Sequence, residues 1–330
     1  KLDGSGCEIW NGEQFQTIDQ AAVAKLLGLE PAQVRIHQLY AGGSFGRRAN
    51  PHSDYVLEAA AIARAAGGSA PVKLVWGRED DTRAGFYRPM YYHTLKAGLD
   101  AQGNLVAWKH VIVGQSILTG TAFEAFLVKD GVDATSVEGA SNLPYAIPNL
   151  AVELHTPKIG VPVQWWRAVG STHTAFATEC FLDEVAREAG RDPFELRRSL
   201  LGGHPRHKAV LELAAQKAGW ANPKAGVSRG IAVHESFNTF VAQVVELSGG
   251  PSAPKIERVV CAVDCGVAVN PNVIAMQMES GIGYGLSAAL TGAITLKDGI
   301  VEQSNFHDYP VLRMNQMPKV EVHIVPSQEK

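Results

Sequence analysis

The segment Ala41–Arg48, which reads AGGSFGRR, is the sequence feature that most constrains the fold of this chain. A predicted strand runs into a glycine-rich loop that carries one aromatic residue and ends in two arginines. Glycines allow a close approach of the backbone to a bulky or flat ligand, loop N–H groups can bind oxygens, and arginine suits phosphate or oxo groups. Taken alone, the segment is also compatible with a plain turn and solvated arginines. The residues that it offers to a ligand are Gly42, Gly43, Ser44, Phe45, Gly46 and Arg47.

A dinucleotide-binding loop is the main competing interpretation of these glycines. The spacing from Gly42 to Gly46 lacks the GxGxxG register. The stretch about 20 residues later is a predicted helix, whereas that fold places an acidic residue at the end of a strand there. The sequence therefore argues against a nicotinamide-binding domain.

Composition narrows the class of partner. The 330 residues are 46% hydrophobic and 19% charged, with a formal net charge of -3, and no Lys/Arg run is longer than a pair. Such a chain can bury a large core but has no basic patch for nucleic acid. No segment has the roughly 20 apolar residues of a membrane helix, and no signal peptide is visible at Lys1. A small molecule is the expected ligand.

Strands and helices are predicted to interleave without a strict βαβ repeat, which favours an α+β fold. Residues 115 to 155 contain no long periodic element, so two domains are expected, 1–155 and 156–330. Local signals predict the following strands: Cys7–Trp10, Val72–Trp76, Asn104–Val113, Gly230–Leu247, Lys255–Val263 and Lys319–Val325. They predict helices at Asp19–Leu27 with Asp19 as cap, after Ser53, from Thr174 to Gly190, from Asp192-Pro193, at Lys208–Ala218 and after Asn270-Pro271.

The second unusual segment is Gln164–Thr174, QWWRAVGSTHT, in front of a predicted helix. Two tryptophans, an arginine and small residues before a helix N-terminus suit the edge of an anion-receptive pocket. The alternative has Trp165 or Trp166 in the core and Arg167 in an ion pair. The candidate site residues of this segment are Arg167, Ala168, Val169 and Gly170.

Other apparent motifs fail on spacing. His234-Glu235 has Asn238 where a zinc protease would have its second histidine, and Ser171, His173 and Asp183 lack a GxSxG elbow. The four cysteines have neither zinc-ribbon nor ferredoxin spacing. No metal site made of side chains is expected.

In order along the chain, several segments resemble the molybdopterin-binding subunits of the xanthine dehydrogenase and aldehyde oxidase superfamily. The best-fitting branch is the isoquinoline 1-oxidoreductase beta subunit with its aldehyde dehydrogenase relatives. This resemblance implies two mixed α/β molybdopterin-binding domains. The matching segments are Ala41–Arg48, Val75–Pro89, Trp166–Ala186, Arg229–Leu247 and Asp264–Leu290.

The resemblance also implies roles for particular residues. In that family a pterin dithiolene, rather than side chains, holds the molybdenum. By resemblance, the backbone of Phe45-Gly46 lies by the oxo ligand of the metal, Arg167–Gly170 borders the metal and substrate pocket, and Gln277 lies against the pterin. The cofactor implied is molybdopterin with molybdenum, in the cytosine dinucleotide form.

The reaction that the resemblance implies is hydroxylation of an aldehyde or an N-heterocycle, with water as the oxygen source and a glutamate as base. That glutamate lies in a Gly-Glu-Pro segment that no residue here matches, since Glu329 lacks these neighbours, and a glutamine-bearing cofactor segment would precede Lys1. Electrons would leave through [2Fe-2S] clusters on a separate small subunit. Further chains completing the molybdenum subunit, and a periplasmic or membrane-associated location, are also expected. The alternative is a scaffold or inactive fragment of the same fold without cofactor.

Overall fold

The computed structural model describes residues 1–329, which divide into two compact units that alternate along the chain. Unit 1 comprises Lys1–Tyr91, Gly114–Ser136 and Thr156–Val169; unit 2 comprises Tyr92–Val113, Val137–His155 and the residues from Gly170 onward. These six segments meet at five crossings, and the predicted domain boundary near residue 155 falls at one of them. The assignment of one molybdopterin-binding domain to each side of that residue stays a prediction.

Helices and strands interleave along the chain, and the predicted α+β class is confirmed. The helices are α1 Gln16–Leu27, α2 Asp54–Ala65, α3 Arg78–Arg83, α4 Glu124–Leu127, α5 Ala134–Val137, α6 Ser171–Glu188, α7 Pro193–Leu200, α8 Pro205–Ala218 and α9 Pro271–Leu290. The strands are β1 Leu2–Asp3, β2 Gly6–Asn11, β3 Val34–Gln38, β4 Tyr91–Leu99, β5 Leu105–Gly114, β6 Val128–Lys129, β7 Val132–Asp133, β8 Asn149–His155, β9 Ser228–Ser236, β10 Thr239–Ser248, β11 Lys255–Asp264, β12 Leu296–Lys297, β13 Ile300–Val301 and β14 Lys319–Ile324. Across residues 1–329, none of the helices has the length and apolar character needed to cross a membrane.

Unit 1 is built on the sheet β1-β2-β3, in which β2 pairs antiparallel with β1 and parallel with β3. Helices α1 and α2 pack on this sheet because each presents small and branched apolar side chains to it. The buried side chains of this core are Cys7, Val23, Ala24, Val34, Val56 and Ala60.

Unit 2 contains the sheets β4-β5-β8 and β14-β11-β10-β9. Strand β11 is buried on both faces, because alternate residues of a strand point to opposite sides of the sheet. Val260 and Ala262 belong to the core that α6, α7 and α8 cover, whereas Val259 and Cys261 pack with Ile282 of α9. Strand β14 pairs in parallel with β11, and its Val320 and Val322 pack against the same cluster as Val259 and Cys261.

The predicted start of α1 is wrong. Asp19 does not cap this helix, which begins at Gln16, and the Asp19 side chain is instead buried in the first turn. The predicted end is confirmed, since Gly28 adopts the left-handed conformation at the C-cap. The predicted starts of α7 and α9 are confirmed too, because Asp192 and Asn270 accept hydrogen bonds from the first turns of their helices.

Val72–Trp76, predicted as a strand, forms no ladder hydrogen bonds within residues 1–329. Its side chains alternate between exposed and half-buried, as in a strand, and Val75 is 72% exposed. It lines a cavity of about 720 Å³ together with Glu8, Ile9 and Trp10 of β2. The residue pattern is that of a strand, but a ladder also needs a neighbouring backbone at hydrogen-bonding distance.

One further strand prediction needs correction, and one short strand was not predicted. The stretch Gly230–Leu247 is a hairpin of β9 and β10, whose turn residues Phe237 and Asn238 have φ of 50° and 57°. Strand β8 is a short element within residues 115–155, where no long periodic element was predicted, and it pairs in parallel with β5. Its alternation of Leu150, Val152 and Leu154 is a strand signal of only seven residues.

Candidate cofactor site

The two unusual segments of the sequence meet in unit 1. The Arg167 amide donates a hydrogen bond to the Phe45 carbonyl at 2.8 Å. A Cβ atom on Gly46 would lie 3.2 Å from the Trp165 carbonyl oxygen and 3.2 Å from the Cα of Trp166. Only a glycine allows the backbones to approach this closely without a shift of one of them.

Both segments hold unusual backbone conformations where they meet. Outside glycine, Phe45, Ala168 and Val169 have φ of 55°, 75° and 45°. Side chains rarely adopt this left-handed region, so each such residue stores about 1 to 3 kcal/mol of strain. Gly42 and Gly43 of the same loop have φ of 67° and 116°, values that glycine tolerates. Clusters of strained residues are typical of ligand-binding segments.

A buried pair of amide side chains fastens the loop to the second segment. Gln164 is fully buried, and its Oε1 accepts a hydrogen bond from Asn50 Nδ2 at 2.7 Å. Its Nε2 donates to the Arg47 carbonyl at 3.3 Å. Asn50 was not among the predicted site residues; its only signal is a polar residue directly after an apolar alanine at the end of the loop.

The loop arginines are engaged within the protein. Arg47 donates two hydrogen bonds to Asp54, at 2.6 and 3.2 Å, and its guanidinium lies 5.7 Å from the ring centres of Trp76 and Phe86. Arg48 donates to the Gly12 carbonyl. Because Asp54 already neutralises Arg47, this arginine is a weaker anion ligand than its sequence context indicates. A contact between Arg47 and a cofactor stays a prediction.

The adjacent tryptophans occupy different environments. Trp165 packs against Phe15 and Phe123, with ring centres 5.8 and 5.7 Å apart. The Nε1–H of Trp166 is buried and has no hydrogen-bond acceptor among residues 1–329. A buried donor without an acceptor is costly, so this group is suited to an oxygen of a bound ligand.

Arg167 lies in a turn closed by a hydrogen bond from the Val169 amide to the Trp166 carbonyl at 2.8 Å. Arg88 supports this turn by donating from Nη1 to the Arg167 carbonyl at 2.9 Å. The structure thus holds the backbone of Arg167–Gly170 in place, and the role of these residues at a pocket edge stays a prediction.

Gln277 lies on α9 in unit 2, and its side chain is exposed. The helix carries further exposed apolar residues, among them Met276 and Tyr284. A contact between Gln277 and a pterin stays a prediction.

The N-terminus of α6 is capped by a protein carboxylate. Glu138 Oε1 accepts hydrogen bonds from the amides of Gly170 at 2.7 Å and Ser171 at 3.2 Å. The Thr174 hydroxyl donates to the Glu138 carbonyl at 2.7 Å. Because Glu138 already binds these two amides, they are not available to a ligand anion, which corrects the expectation drawn from the sequence.

Three histidines of unit 2, one fully buried and two partly buried, form a column beside this helix terminus. His93 Nδ1 lies 2.8 Å from His110 Nε2, and His93 Nε2 lies 3.2 Å from His173 Nδ1. Burial, followed by the charges of neighbouring histidines, lowers the pKa of His110 to about 4 and that of His173 to about 3. Burial also lowers the pKa of His93, so all three rings are neutral at pH 7. The column was not predicted, because its members lie far apart in the sequence.

The arrangement also excludes a hydrolase triad of Ser171, His173 and Asp183. Asp183 accepts a hydrogen bond from Arg197 Nη1 at 2.6 Å. His173 contacts His93 instead. Within residues 1–329, no three His, Cys, Asp or Glu side chains converge in a way that could hold a metal ion.

Family models and known proteins match this chain over nearly its whole length. A family model described as a molybdopterin cofactor-binding domain matches residues 2–201, and a second model with that description matches residues 207–318. The chain is 33% identical over 334 residues to the isoquinoline 1-oxidoreductase subunit beta of Brevundimonas diminuta, covering 99% of this chain and 42% of that protein. It is 29% identical to a membrane-bound aldehyde dehydrogenase of Gluconacetobacter polyoxogenes, covering 98% of this chain and 45% of the relative.

Among solved structures, quinoline 2-oxidoreductase of Pseudomonas putida 86 has a similar fold. The TM-score is 0.77 at 13% sequence identity, covering 97% of this chain and 65% of that one. A Cu,Mo-CO dehydrogenase matches with a TM-score of 0.76 at 12% identity. The chain spans less than half the length of the curated relatives it matches.

Proposed function

Because this chain belongs to the molybdopterin-binding subunits of the xanthine dehydrogenase family, we propose that it is part of the molybdenum-binding subunit of a hydroxylase. The proposed reaction is the oxidative hydroxylation of an aldehyde or an N-heterocycle with water as the oxygen source. The names of its relatives support this choice, since they include an isoquinoline oxidoreductase, an aldehyde dehydrogenase and a nicotinate dehydrogenase.

The observation that carries the proposal is the close contact of the glycine loop with the segment after Gln164. The protein holds Phe45, Ala168 and Val169 in strained conformations there, and Gly46 leaves no room for a side chain. The buried Trp166 Nε1–H offers a donor. A flat ligand rich in oxygens, as a pterin with an oxo-metal group is, fits these features.

When bound, the cofactor supplies the two-electron redox chemistry by which an oxygen from water replaces hydrogen on the substrate carbon. The reaction releases two electrons and two protons, and we propose that the electrons pass to [2Fe-2S] clusters on a separate small subunit. The residues of this chain bind and orient: the Gly42–Gly46 backbone approaches the cofactor, and the Arg167–Gly170 backbone borders the pocket. The aromatic group of Phe15, Phe123 and Trp165 keeps water from the back of this segment.

Three further elements belong to the proposal. The cofactor is taken to be the cytosine dinucleotide form, and the general-base glutamate is taken to come from polypeptide other than residues 1–330. The location is taken to be periplasmic or membrane-associated. The alternative is a scaffold with this fold and no cofactor, which would retain the loop conformation without binding molybdenum.

Molybdenum content tests the proposal directly. The wild-type protein and a Gly46→Val variant would be purified from the natural host with all associated chains, and their molybdenum, iron and released nucleotide measured. The variant places side-chain atoms against Trp165 and Trp166, so we expect a fall in molybdenum content of about tenfold or more. Gly250→Ala is the matched control, since a Cβ there meets no atom within 4 Å.

Turnover in ¹⁸O-labelled water with benzaldehyde or isoquinoline as substrate would then test the reaction. Label in the product supports hydroxylation by water. A protein with neither molybdenum nor iron in any of its associated chains would contradict the proposal and favour the scaffold.

A further inference from the structure

One extended stretch of unit 1 leaves its backbone groups unpaired. Val72–Trp76 has the alternating exposure of a strand, yet its amides and carbonyls make no hydrogen bond to any other part of residues 1–329. Backbone donors and acceptors of folded proteins are nearly always paired, either with the chain or with water. All residues of this stretch line the cavity of about 720 Å³. The stretch is therefore one open edge of that cavity.

Strand β2 has a second open edge on the same cavity. Glu8 exchanges two hydrogen bonds with the backbone of Lys1, both of 2.8 Å. Because the N–H and C=O groups of a strand point to alternate sides, those of Trp10 point to the same side as those of Glu8. Strand β1 lies opposite Gly6 and Cys7 and provides no partner for Trp10, and β3 occupies the other side of β2. The backbone of Trp10 is therefore open toward the cavity.

The size of the cavity corresponds to one strand. A strand in a packed sheet lies about 4.8 Å from its neighbours, occupies about 10 Å of depth and rises about 3.3 Å per residue, which gives roughly 160 Å³ per residue. The cavity of about 720 Å³ thus has room for roughly four to five residues. This is close to the length of Val72–Trp76, so one short strand could pair with the whole stretch.

The side chains around the cavity define the chemistry of such a strand. Helix α2 lines the cavity with three small residues, Ala59, Ala60 and Ala63. Their small side chains leave space above the helix for larger apolar ones. In the stretch Val72–Trp76, Lys73 and Val75 form the exposed face. The inserted strand is therefore expected to place apolar side chains toward α2, and to place an acidic side chain near Lys73 on the exposed face.

We propose that a strand of the molybdenum subunit, from polypeptide other than residues 1–330, inserts between β2 and Val72–Trp76 and joins them into one sheet. This chain covers only 42% and 45% of its isoquinoline oxidoreductase and aldehyde dehydrogenase relatives, so more than half of each relative lies outside the matched part. The source of the strand rests on the proposed function, whereas the two open edges do not. Main-chain hydrogen bonds provide the affinity in strand addition, and the alternate side chains provide the specificity.

Amide hydrogen exchange followed by mass spectrometry tests the insertion. The protein purified from the natural host, with all its associated polypeptide, is compared with the 330-residue chain alone. We expect the Trp10 amide and about half of the amides of Val72–Trp76 to exchange at least tenfold more slowly in the natural assembly, since only alternate amides face the inserted strand. The amides of Val260 and Ala262 are the internal control, because β11 has a neighbour on each side and should exchange slowly in both samples.

Variants make the test specific. Ala59→Phe fills the cavity from α2 and should return the exchange of Val72–Trp76 to the rate of the chain alone. Ala65→Phe is the matched control, because it adds the same side chain at an exposed position of the same helix, and it should keep the slow exchange. A photoreactive p-benzoylphenylalanine in place of Lys73 decides the matter if Ala59→Phe does not fold. Its crosslink should reach a segment of the subunit outside residues 1–330.

Two results would overturn the proposal. One is equal exchange of Val72–Trp76 in the natural assembly and in the chain alone. The other is a crosslink from position 73 only to residues 1–330, which would assign the cavity to this chain or to a second copy of it. Molybdenum content is measured on the same samples and keeps the two proposals apart. Molybdenum without slow exchange contradicts the insertion alone, whereas slow exchange without molybdenum supports the insertion and contradicts the proposed function.

Discussion

Arg197 is a fully buried arginine of unit 2, and its charge is compensated entirely by neighbours within that unit. Its Nε donates to Glu179 Oε2 at 2.9 Å and its Nη1 donates to Asp183 at 2.6 Å. Glu179 also accepts hydrogen bonds from the Tyr145 hydroxyl at 2.7 Å and the Val233 amide at 2.9 Å. Every member of this network therefore supplies a hydrogen bond or a compensating charge that another member needs.

Replacing Arg197 by alanine leaves the Glu179 carboxylate buried without its cation. We expect the free energy of unfolding in urea to fall by about 3 to 5 kcal/mol. The neighbouring Arg198 is exposed and pairs with Glu195 at the surface, so Arg198→Ala should change it by less than about 1 kcal/mol. Equal losses of unfolding free energy in the two variants would show that burial of the ion pair is not the cause of the loss.

The histidine column gives a pH dependence with a definite sign. Burial lowers the pKa of His110 to about 4, against 6.5 in the unfolded chain, so the unfolded state binds more protons between these values. The contribution of each such histidine to the free energy of unfolding is fully present above pH 6.5. It is lost as the pH falls toward 4, by up to about 1.4 kcal/mol per pH unit for each group. Urea unfolding at pH 7.5 and pH 5.0 measures this loss.

His110→Asn removes one titrating ring, so the difference in unfolding free energy between the two pH values should shrink. The exposed His307 is the control, and His307→Asn should leave the difference unchanged. An unaltered pH dependence in His110→Asn would contradict the lowered pKa of the column.

At the scale of elements, the start of α6 depends on a side chain outside the helix. Glu138 binds the Gly170 and Ser171 amides, which are among the unpaired donors of the helix N-terminus. Glu138→Ala should therefore reduce the free energy of unfolding by about 1 kcal/mol, and Glu138→Gln by less, since it keeps an acceptor but not the charge. Urea denaturation measures both, with the exposed Glu184→Gln as control. A loss as large in the control would contradict a capping role.

Elements could be predicted where their signals are local. The starts of α7 and α9 are encoded by Asp192-Pro193 and Asn270-Pro271, adjacent residues whose side chains act on the next turn. Val72–Trp76 has an equally good local pattern, but a ladder depends on a partner strand that the pattern does not contain. The glycine loop could be predicted for the same reason as these two helix starts, because its conformation depends on consecutive residues.

The assembly of the site could not be predicted in the same way. Asn50 and Gln164 are separated by 114 residues, and no local sequence signal at either position predicts their hydrogen bond. The buried polar side chains of Glu13, Asp19 and Ser53 likewise come from a loop, from the first turn of α1 and from the residue before α2. Such contacts arise from the packing of elements, which a sequence pattern does not specify.

For the whole molecule, the alternation of the units means that residue 155 does not separate one unit from the other. The core of unit 2 includes Leu105 and Trp108 of β5, and Trp108 packs edge-on against Phe181 of α6 with ring centres 5.0 Å apart. A chain of residues 156–330 lacks both side chains. Their loss costs several kcal/mol, which is comparable with the whole stability of a domain.

We therefore expect residues 156–330 alone to unfold without a cooperative transition in urea, as followed by near-UV circular dichroism. Co-expression with residues 1–155 should restore the transition. Cooperative unfolding of the isolated piece would instead support two continuous domains that meet at residue 155.

The unpaired stretch Val72–Trp76 also affects how the purified chain behaves at high concentration. A β-branched segment with a solvent-facing Val75 is a template onto which another molecule can add its own strand. Lys73 on the same face acts as a gatekeeper, since each added copy would stack another positive charge beside it. Turbidity of concentrated solutions should therefore rise with ionic strength, as salt screens that repulsion.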